Sequence, residues 1–247
     1  MADDLQGVRM LVTGGASGIG AAATDAMLRL GATVAVLDRD TTGAPAGCVP
    51  LRCDLTDAAA VEEAVADAVR RLGGLDVVVN NAGVGSIGDV TDNDDDEWRR
   101  VLDVNVLAIP RVMRAALPHL RRSRSAAVVN TCSAVAYVGV RSRALYSASK
   151  GAVHALTLAM AADHLVDGIR VNAVAPGTVD TPWVGRLLDA AEDPEVAAEA
   201  LRRRQPLGRL VTAEEVAAAI VALASPSAGS TTGTVVHVDG GMTSLRL

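Results

Sequence analysis

Short apolar runs alternate along this chain with longer stretches of helical period. Residues 8–13 form an apolar run closed by Gly14 and Gly15, the signature of a buried strand. Helical spacing follows from about Gly18 to Leu30, with Gly31 as the stop. Residues 33–37 give a second strand ending in Asp38. The next stretch, 41–47, is turn-rich and too short for a crossover helix. A third strand is predicted over 49–53 and a helix over 58–72, through Val61, Val65, Ala68, Val69 and Leu72. Residues 75–79 read as a fourth strand that runs into Asn80-Asn81-Ala82-Gly83. One long helix is predicted from about Asp95 to Leu120, a fifth strand over 126–131, and a helix carrying Tyr146 and Lys150 to about Leu165. A sixth strand over 169–174 breaks at Pro176-Gly177. A variable stretch from Thr181 to Arg204, a helix over 213–224 and a strand over 234–238 complete the chain. Such alternation predicts a parallel α/β sheet of about seven strands covered on both faces. No repeat or linker divides it, so residues 1–247 read as a single domain.

Composition narrows the partners. Half the residues are apolar but Phe is absent, so the core must be built from Ala, Val and Leu. A net charge of -6 argues against a broad nucleic-acid surface, which needs a basic stripe. Cys48, Cys53 and Cys132 are odd in number and lack metal spacing; they read as buried thiols in a reducing compartment. The chain has no basic-then-apolar leader pattern and no apolar run of about 18 residues. The expectation is a cytoplasmic protein without a membrane span. The acidic run 92–97 lacks the glycine and spaced glutamate of a calcium loop and fits a helix N-terminus. The four histidines show no zinc spacing, so no metal is expected. The cluster Arg121-Arg122-Ser123-Arg124 suits a helix C-terminus.

Two stretches carry chemistry. Thr13 to Gly20 follows a strand and opens a helix, the context of a dinucleotide-binding loop of Rossmann type. Its Gly14, Gly18 and Gly20 allow backbone N–H groups near a pyrophosphate, and Ser17 and Ile19 stand at the helix start. Asp38, at the end of the second strand, can accept both adenosine ribose hydroxyls and repels a 2'-phosphate; Arg39 beside it could offset that repulsion. The second stretch is Tyr146-Ser147-Ala148-Ser149-Lys150. On a helix Tyr146 and Lys150 share a face. An ammonium close by favours the phenolate, and a shift of about 3 units would make the pair a general acid/base near neutral pH.

These motifs, with their order and spacing, resemble the short-chain dehydrogenases/reductases in their shorter single-domain branch. Residues 13–20 fit the glycine motif, Asp54 with Leu55 the adenine contact, and Asn80-Asn81-Ala82-Gly83 the strand-end motif. Asn105, Ser133, Tyr146 and Lys150 fit the catalytic tetrad, and Pro176-Gly177 with Val179 and Thr181 the nicotinamide-side loop. The resemblance implies a doubly wound sheet, with a cofactor half to about residue 130 and a catalytic half beyond it. It implies hydride transfer between nicotinamide and a secondary alcohol or ketone. Tyr146 would move the proton, and Lys150 would lower its pKa and hold the ribose. Ser133 would orient the reacting oxygen, Asn105 would bind a relay water, and Asn81, Ala82 and Gly83 would pack on the ribose. Asp38 favours NAD over NADP. Family members acting on hydroxy acids and sugar acids have arginines matching Arg143 and Arg204 on the substrate carboxylate; Arg186 could join them. The expectation is an NAD-dependent dehydrogenase of a small hydroxy acid, sugar or sugar acid. The alternatives are a 3-oxoacyl-carrier-protein reductase and a non-catalytic NAD-binding regulator. The family assembly, two long helices packed across one two-fold axis and the last helix and strand across another, implies a homotetramer.

Overall fold

The computed structural model describes residues 5–189 and 191–246. Strands Arg9–Thr13 (β1), Thr33–Asp38 (β2), Val49–Arg52 (β3), Val77–Asn80 (β4), Ala127–Thr131 (β5) and Arg170–Pro176 (β6) form one sheet with a last strand, Val235–Val238. Counting the short pair Val179–Asp180 (β7) and Val211–Thr212 (β8), that last strand is β9. The seven-stranded order is β3-β2-β1-β4-β5-β6-β9, and every neighbouring pair is parallel. The Val-rich strands β4 and β5 are buried along their whole length, as a sheet covered on both faces requires.

Helices Gly18–Arg29 (α1), Ala58–Leu72 (α2), Asp95–Leu102 (α3), Ala108–Leu120 (α4) and Ala144–Asp163 (α5) connect the strands. Pro182–Asp189 (α6), Pro194–Arg202 (α7) and Ala213–Ala224 (α8) follow. The two-residue alternation of the strands divides the core. Leu11, Val78 and Val128 face α2, α4 and α5 through Val65, Val112 and Val153. Met10, Val12, Val79 and Val129 face α1 and α8 through Met27 and Ile220. The chain runs from β1 outward to β3, returns to β4, and then builds in the other direction. That reversal leaves a crevice at the carboxyl ends of β1 and β4, where open α/β sheets bind ligands.

The sequence pattern and the fold differ in several places. The helix expected to run unbroken from 95 to 120 is split by a π turn, Asp103–Leu107. The Arg111 guanidinium steadies that turn, 2.6 Å from the Asp103 carboxylate. β3 stops at Arg52 and β6 continues through Pro176, which pairs with Val238 at the strand end, where a missing N–H costs little. The variable stretch holds α6 and α7; Asp193 caps α7 by accepting from the N–H groups of Glu195 and Val196. Cys53 and Cys132 are buried, but Cys48 is only half-buried. The 41–47 segment is a series of turns, as its composition predicts. Among the described residues, no helix is long and apolar enough to cross a membrane.

Candidate active site

A cleft of about 770 Å³ opens at the carboxyl ends of β1 and β4. Of the cofactor, catalytic and substrate residues proposed from the sequence, all but Gly20 and Asn105 line it. Those two stand behind the wall. A Cβ on Gly20 would collide with the Gly14 carbonyl, so glycine lets the first turn of α1 sit on the loop. Gly14 itself has φ +64°, and a Cβ there would lie 2.8 Å from Ala82 Cα. Asn81 locks this approach. Its backbone N–H and that of Ala82 donate to Thr13 Oγ1 at 3.0 and 3.1 Å, and its amide donates to the Thr13 and Gly14 carbonyls. The Asn81 side chain and N–H are thus spent on joining neighbouring strand ends, and only its carbonyl is left to meet a ribose.

The N-terminus of α1 faces the cleft without an acidic residue in its first turn, and the Ser17 side chain makes no capping bond. Free N–H groups, a helix dipole and an uncommitted hydroxyl fit a pyrophosphate. At the far end, Asp38 accepts from Ala16 N–H at 3.2 Å. Asp54 accepts from Thr56 N–H and Oγ1; these bonds, helped by the nearby charge of Arg39, hold its carboxyl below the usual carboxylate range. The residues present therefore fit a nicotinamide dinucleotide.

At the other end, α5 carries Tyr146 and Lys150 on one face. Lys150 is buried and its ammonium donates to the Thr131 carbonyl at 2.8 Å, 5.8 Å from the Tyr146 ring centre. A Cβ on Gly83 would lie 3.4 Å from Lys150 Nζ and 3.3 Å from Asn105 Oδ1, so the loop passes close against both side chains. Burial pushes the Tyr146 phenol up to about 12, against the pull of its hydrogen bond with Ser133 and of the Arg143 charge. Burial likewise brings the Lys150 ammonium down to about 8. Burial is thus the largest cause acting on both groups, and the ammonium is hydrogen-bonded to the Thr131 carbonyl.

Asn105 is held through its side chain. From the π turn its amide donates to the Val84 carbonyl at 2.9 Å and to Ser149 Oγ at 3.0 Å, while its oxygen accepts from Val84 N–H at 2.8 Å. Ser149 Oγ passes the bond on to the Tyr146 carbonyl at 2.8 Å. Both amide hydrogens are committed, so the side chain acts as a fastener between the loop after β4 and α5. Val84 and Ser149 are missing from the sequence reading; the one signal was a hydroxyl beside Lys150 on the inner face of α5.

Arg143 and Arg204 line the same cleft. Each is half-buried, each is held below the ordinary arginine pKa first by burial, and the charge of Arg204 adds to the effect on Arg143. Arg143 donates to the Ser86 and Ser142 carbonyls at 3.3 and 3.2 Å. Its backbone is set by Ser142, whose φ of +55° is rare for a residue with a side chain, and by a parallel bridge to Gly88. Trp183, on α6, lies on Gly85 so closely that a Cβ there would collide with the indole. Arg186 lines the same region.

A family model described as enoyl-(acyl carrier protein) reductase matches residues 14–243. The chain is 38% identical to 2-(S)-hydroxypropyl-CoM dehydrogenase 3 of Xanthobacter autotrophicus, across 99% of this chain and 100% of that one. It is 40% identical to L-fucose dehydrogenase of Oryctolagus cuniculus, across 94% and 84%. It is 37% identical to cis-4-hydroxycyclohexanecarboxylate dehydrogenase of Sinomonas cyclohexanicum, across 95% and 96%. Among solved structures, Thermoplasma acidophilum aldohexose dehydrogenase superposes with a TM-score of 0.92 at 32% identity, covering 99% of this chain and 97% of that one.

Proposed function

We infer that this chain, which belongs to the short-chain dehydrogenase/reductase family, is an NAD-dependent dehydrogenase of small secondary alcohols that carry an anionic group, a hydroxy acid or sugar acid. The observation that carries the reading is the pair Arg143 and Arg204. Two guanidinium groups half-buried in one cleft, close enough for one to depress the other, have no carboxylate partner among the described residues. A planar anion bound by both forks would relieve that repulsion. One relative is named for a hydroxy-carboxylate and another for a sugar, which brackets the substrate class.

Bound nicotinamide supplies the hydride acceptor or donor. The protein supplies proton handling and position. Ser133 holds the substrate oxygen beside the Tyr146 phenol, and Tyr146 takes the hydroxyl proton in oxidation and returns it in reduction. Lys150 holds the ribose hydroxyls. With its phenol pushed up to about 12, Tyr146 stands ready as the acid for reduction, and oxidation needs the added positive charge of the oxidised cofactor. Asp38 excludes a 2'-phosphate, while Arg39 is drawn toward Asp54. The working form we propose is a cytoplasmic homotetramer, with three free thiols suited to a reducing compartment.

The test is initial-rate kinetics with NAD and NADP on 3-hydroxybutyrate, cis-4-hydroxycyclohexanecarboxylate and their carboxamides. Higher kcat/KM is expected with NAD and with the acids. Arg143→Gln or Arg204→Gln should raise KM for the acid by about 10- to 100-fold, the worth of a charge-assisted hydrogen bond, and leave the amide nearly unchanged. Equal losses for acid and amide in both variants would defeat the anionic-substrate reading. A preference for NADP would show that Arg39 outweighs Asp38.

A further inference from the structure

Arg204 comes from a surface segment, yet it must meet Arg143 on the fixed start of α5. It follows α7 in a chain of turns, with Gln205 N–H bonded to the Arg202 carbonyl at 3.0 Å and Gly208 N–H to the Gln205 carbonyl at 2.8 Å. Between residues 201 and 210 the only fully buried residue is Gln205, at 1% exposure. An apolar side chain would anchor such a segment at less desolvation cost. Gln205 instead makes specific use of its amide. Its nitrogen donates to the Arg209 carbonyl at 2.6 Å, which closes the turn. Its oxygen lies where a side chain at residue 177 would go: a Cβ on Gly177 would collide with Oε1. Below it, Gly240 has φ +60°, and a Cβ there would lie 3.2 Å from Gln205 Cβ. Leu207 N–H donates to the Gly240 carbonyl at 3.0 Å, and Gly177 N–H to the Val238 carbonyl at 3.0 Å. The Gln205 oxygen has no hydrogen-bond partner among the described residues, so the position is costly to keep polar.

We propose that Gln205 is a positioning residue: a peg seated between Gly177 and Gly240 that fixes the Arg204 guanidinium against the cofactor-side loop and so sets the selectivity for an anionic substrate. The inference rests on the reading of Arg143 and Arg204 as an anion clamp. Pro176, Gly177 and Thr178 line the cleft that Arg204 also lines. The peg therefore joins the half of the cleft that holds the dinucleotide to the guanidinium that selects the substrate. Arg143, framed by Ser142 and Gly88, is the fixed jaw; Arg204 is the jaw whose place depends on Gln205.

Gln205→Met keeps the length of the side chain and removes its amide; Gln205→Asn keeps a neutral amide, with its donor and acceptor, on a shorter stem and serves as the conservative control. Each is measured on the full chain with NAD and whichever acid of the two above is turned over, beside its carboxamide. Gln205→Met should raise KM for the acid about tenfold, and leave both KM for the amide and the dissociation constant of NAD within about threefold. Gln205→Asn should recover part of the loss. In the Arg204→Gln background, Gln205→Met should add nothing further for the acid, because Gln205 acts through that arginine. A Gln205→Met effect that is equal for acid and amide, or that multiplies with Arg204→Gln, overturns the proposal and marks Gln205 as part of the general packing. If Arg204→Gln itself does not discriminate acid from amide, the clamp fails and the peg with it. If Arg204→Gln discriminates and Gln205→Met does not, only the peg fails.

Discussion

Lys150 is a cation held almost wholly out of water, its ammonium hydrogen-bonded to the Thr131 carbonyl. Its drop from the ordinary 10.5 to about 8 means that the folded protein carries the charged form at a cost of about 3 kcal/mol below pH 8. The sign follows from linkage. Between pH 8 and 10.5 the unfolded chain binds the proton and the folded one does not, so stability rises with pH across that window. Lys150→Met should accordingly be inactive but more stable than the wild type at pH 7, by about 1–2 kcal/mol once the lost bond to Thr131 is subtracted. The gain should have largely gone near pH 10. Chemical denaturation of both proteins at the two pH values measures it; a less stable variant at pH 7, or a gain that does not change with pH, would contradict the burial argument. The same burial explains why the pair could not be understood from its spacing alone. Tyr146 and Lys150 do share a face of α5, but the half-buried phenol feels Cys132 and Ser133, just past β5, and Arg143 at the start of its own helix, and such neighbours are not visible four residues along a chain.

Among elements, the split helix matters most. A π turn at residues 103–107 brings Asn105 to Val84 and Ser149, and insertions of this type are frequent at functional sites. Ser149 is the acceptor that Asn105 Nδ2 needs on the α5 side. Ser149→Ala leaves that buried donor unpaired, at about 1–3 kcal/mol, and should lower the melting temperature by between a few degrees and about 10 °C for a chain of this size. Scanning calorimetry checks it; an unchanged melting temperature would mean that the fastener carries no load. The strands and helices themselves were legible because two- and 3.6-residue periods are local, and so was the phosphate loop, whose glycines sit between one strand and one helix. The π turn was not: one extra residue in a turn changes the hydrophobic pattern too little to see. Gln205 was invisible for another reason, since a polar residue in a polar stretch gives no sign that it is the buried one. Arg143 and Arg204 were legible as candidates, but their meeting across 61 positions of chain required the fold.

At the scale of the whole molecule, the outer face of α5 bears on assembly. Its exposed positions include Ala148, Ala155, Leu158, Ala159 and Ala162, and from Ala144 to Ala162 the only Lys, Arg, Asp or Glu is the buried Lys150. A helix that faces water in this protein looks different: α2 exposes Glu62, Glu63, Arg70 and Arg71. Leu107 at the end of the π turn is also exposed, near the same helix. Small apolar residues let a second helix approach closely, which suits an isologous contact between two copies. The sheet offers another candidate, because β9 is an edge strand with Val236 exposed, and native proteins rarely leave such an edge uncovered. Two independent two-fold contacts generate a tetramer. Light scattering should therefore report a tetramer for the wild type at micromolar concentration, a dimer for Leu158→Glu, a dimer for Val236→Glu and a monomer for the double variant. A monomeric wild type, or a tetramer that survives Leu158→Glu, would refute the assignment of the α5 face. Activity gives a second reading of the same variants. Leu158 lies two turns along α5 from the buried Lys150 and is itself exposed, so a loss of turnover that follows the loss of the tetramer would mean that the α5 contact holds the helix in place for Tyr146 and Lys150, while full turnover in the dimer would limit the contact to assembly.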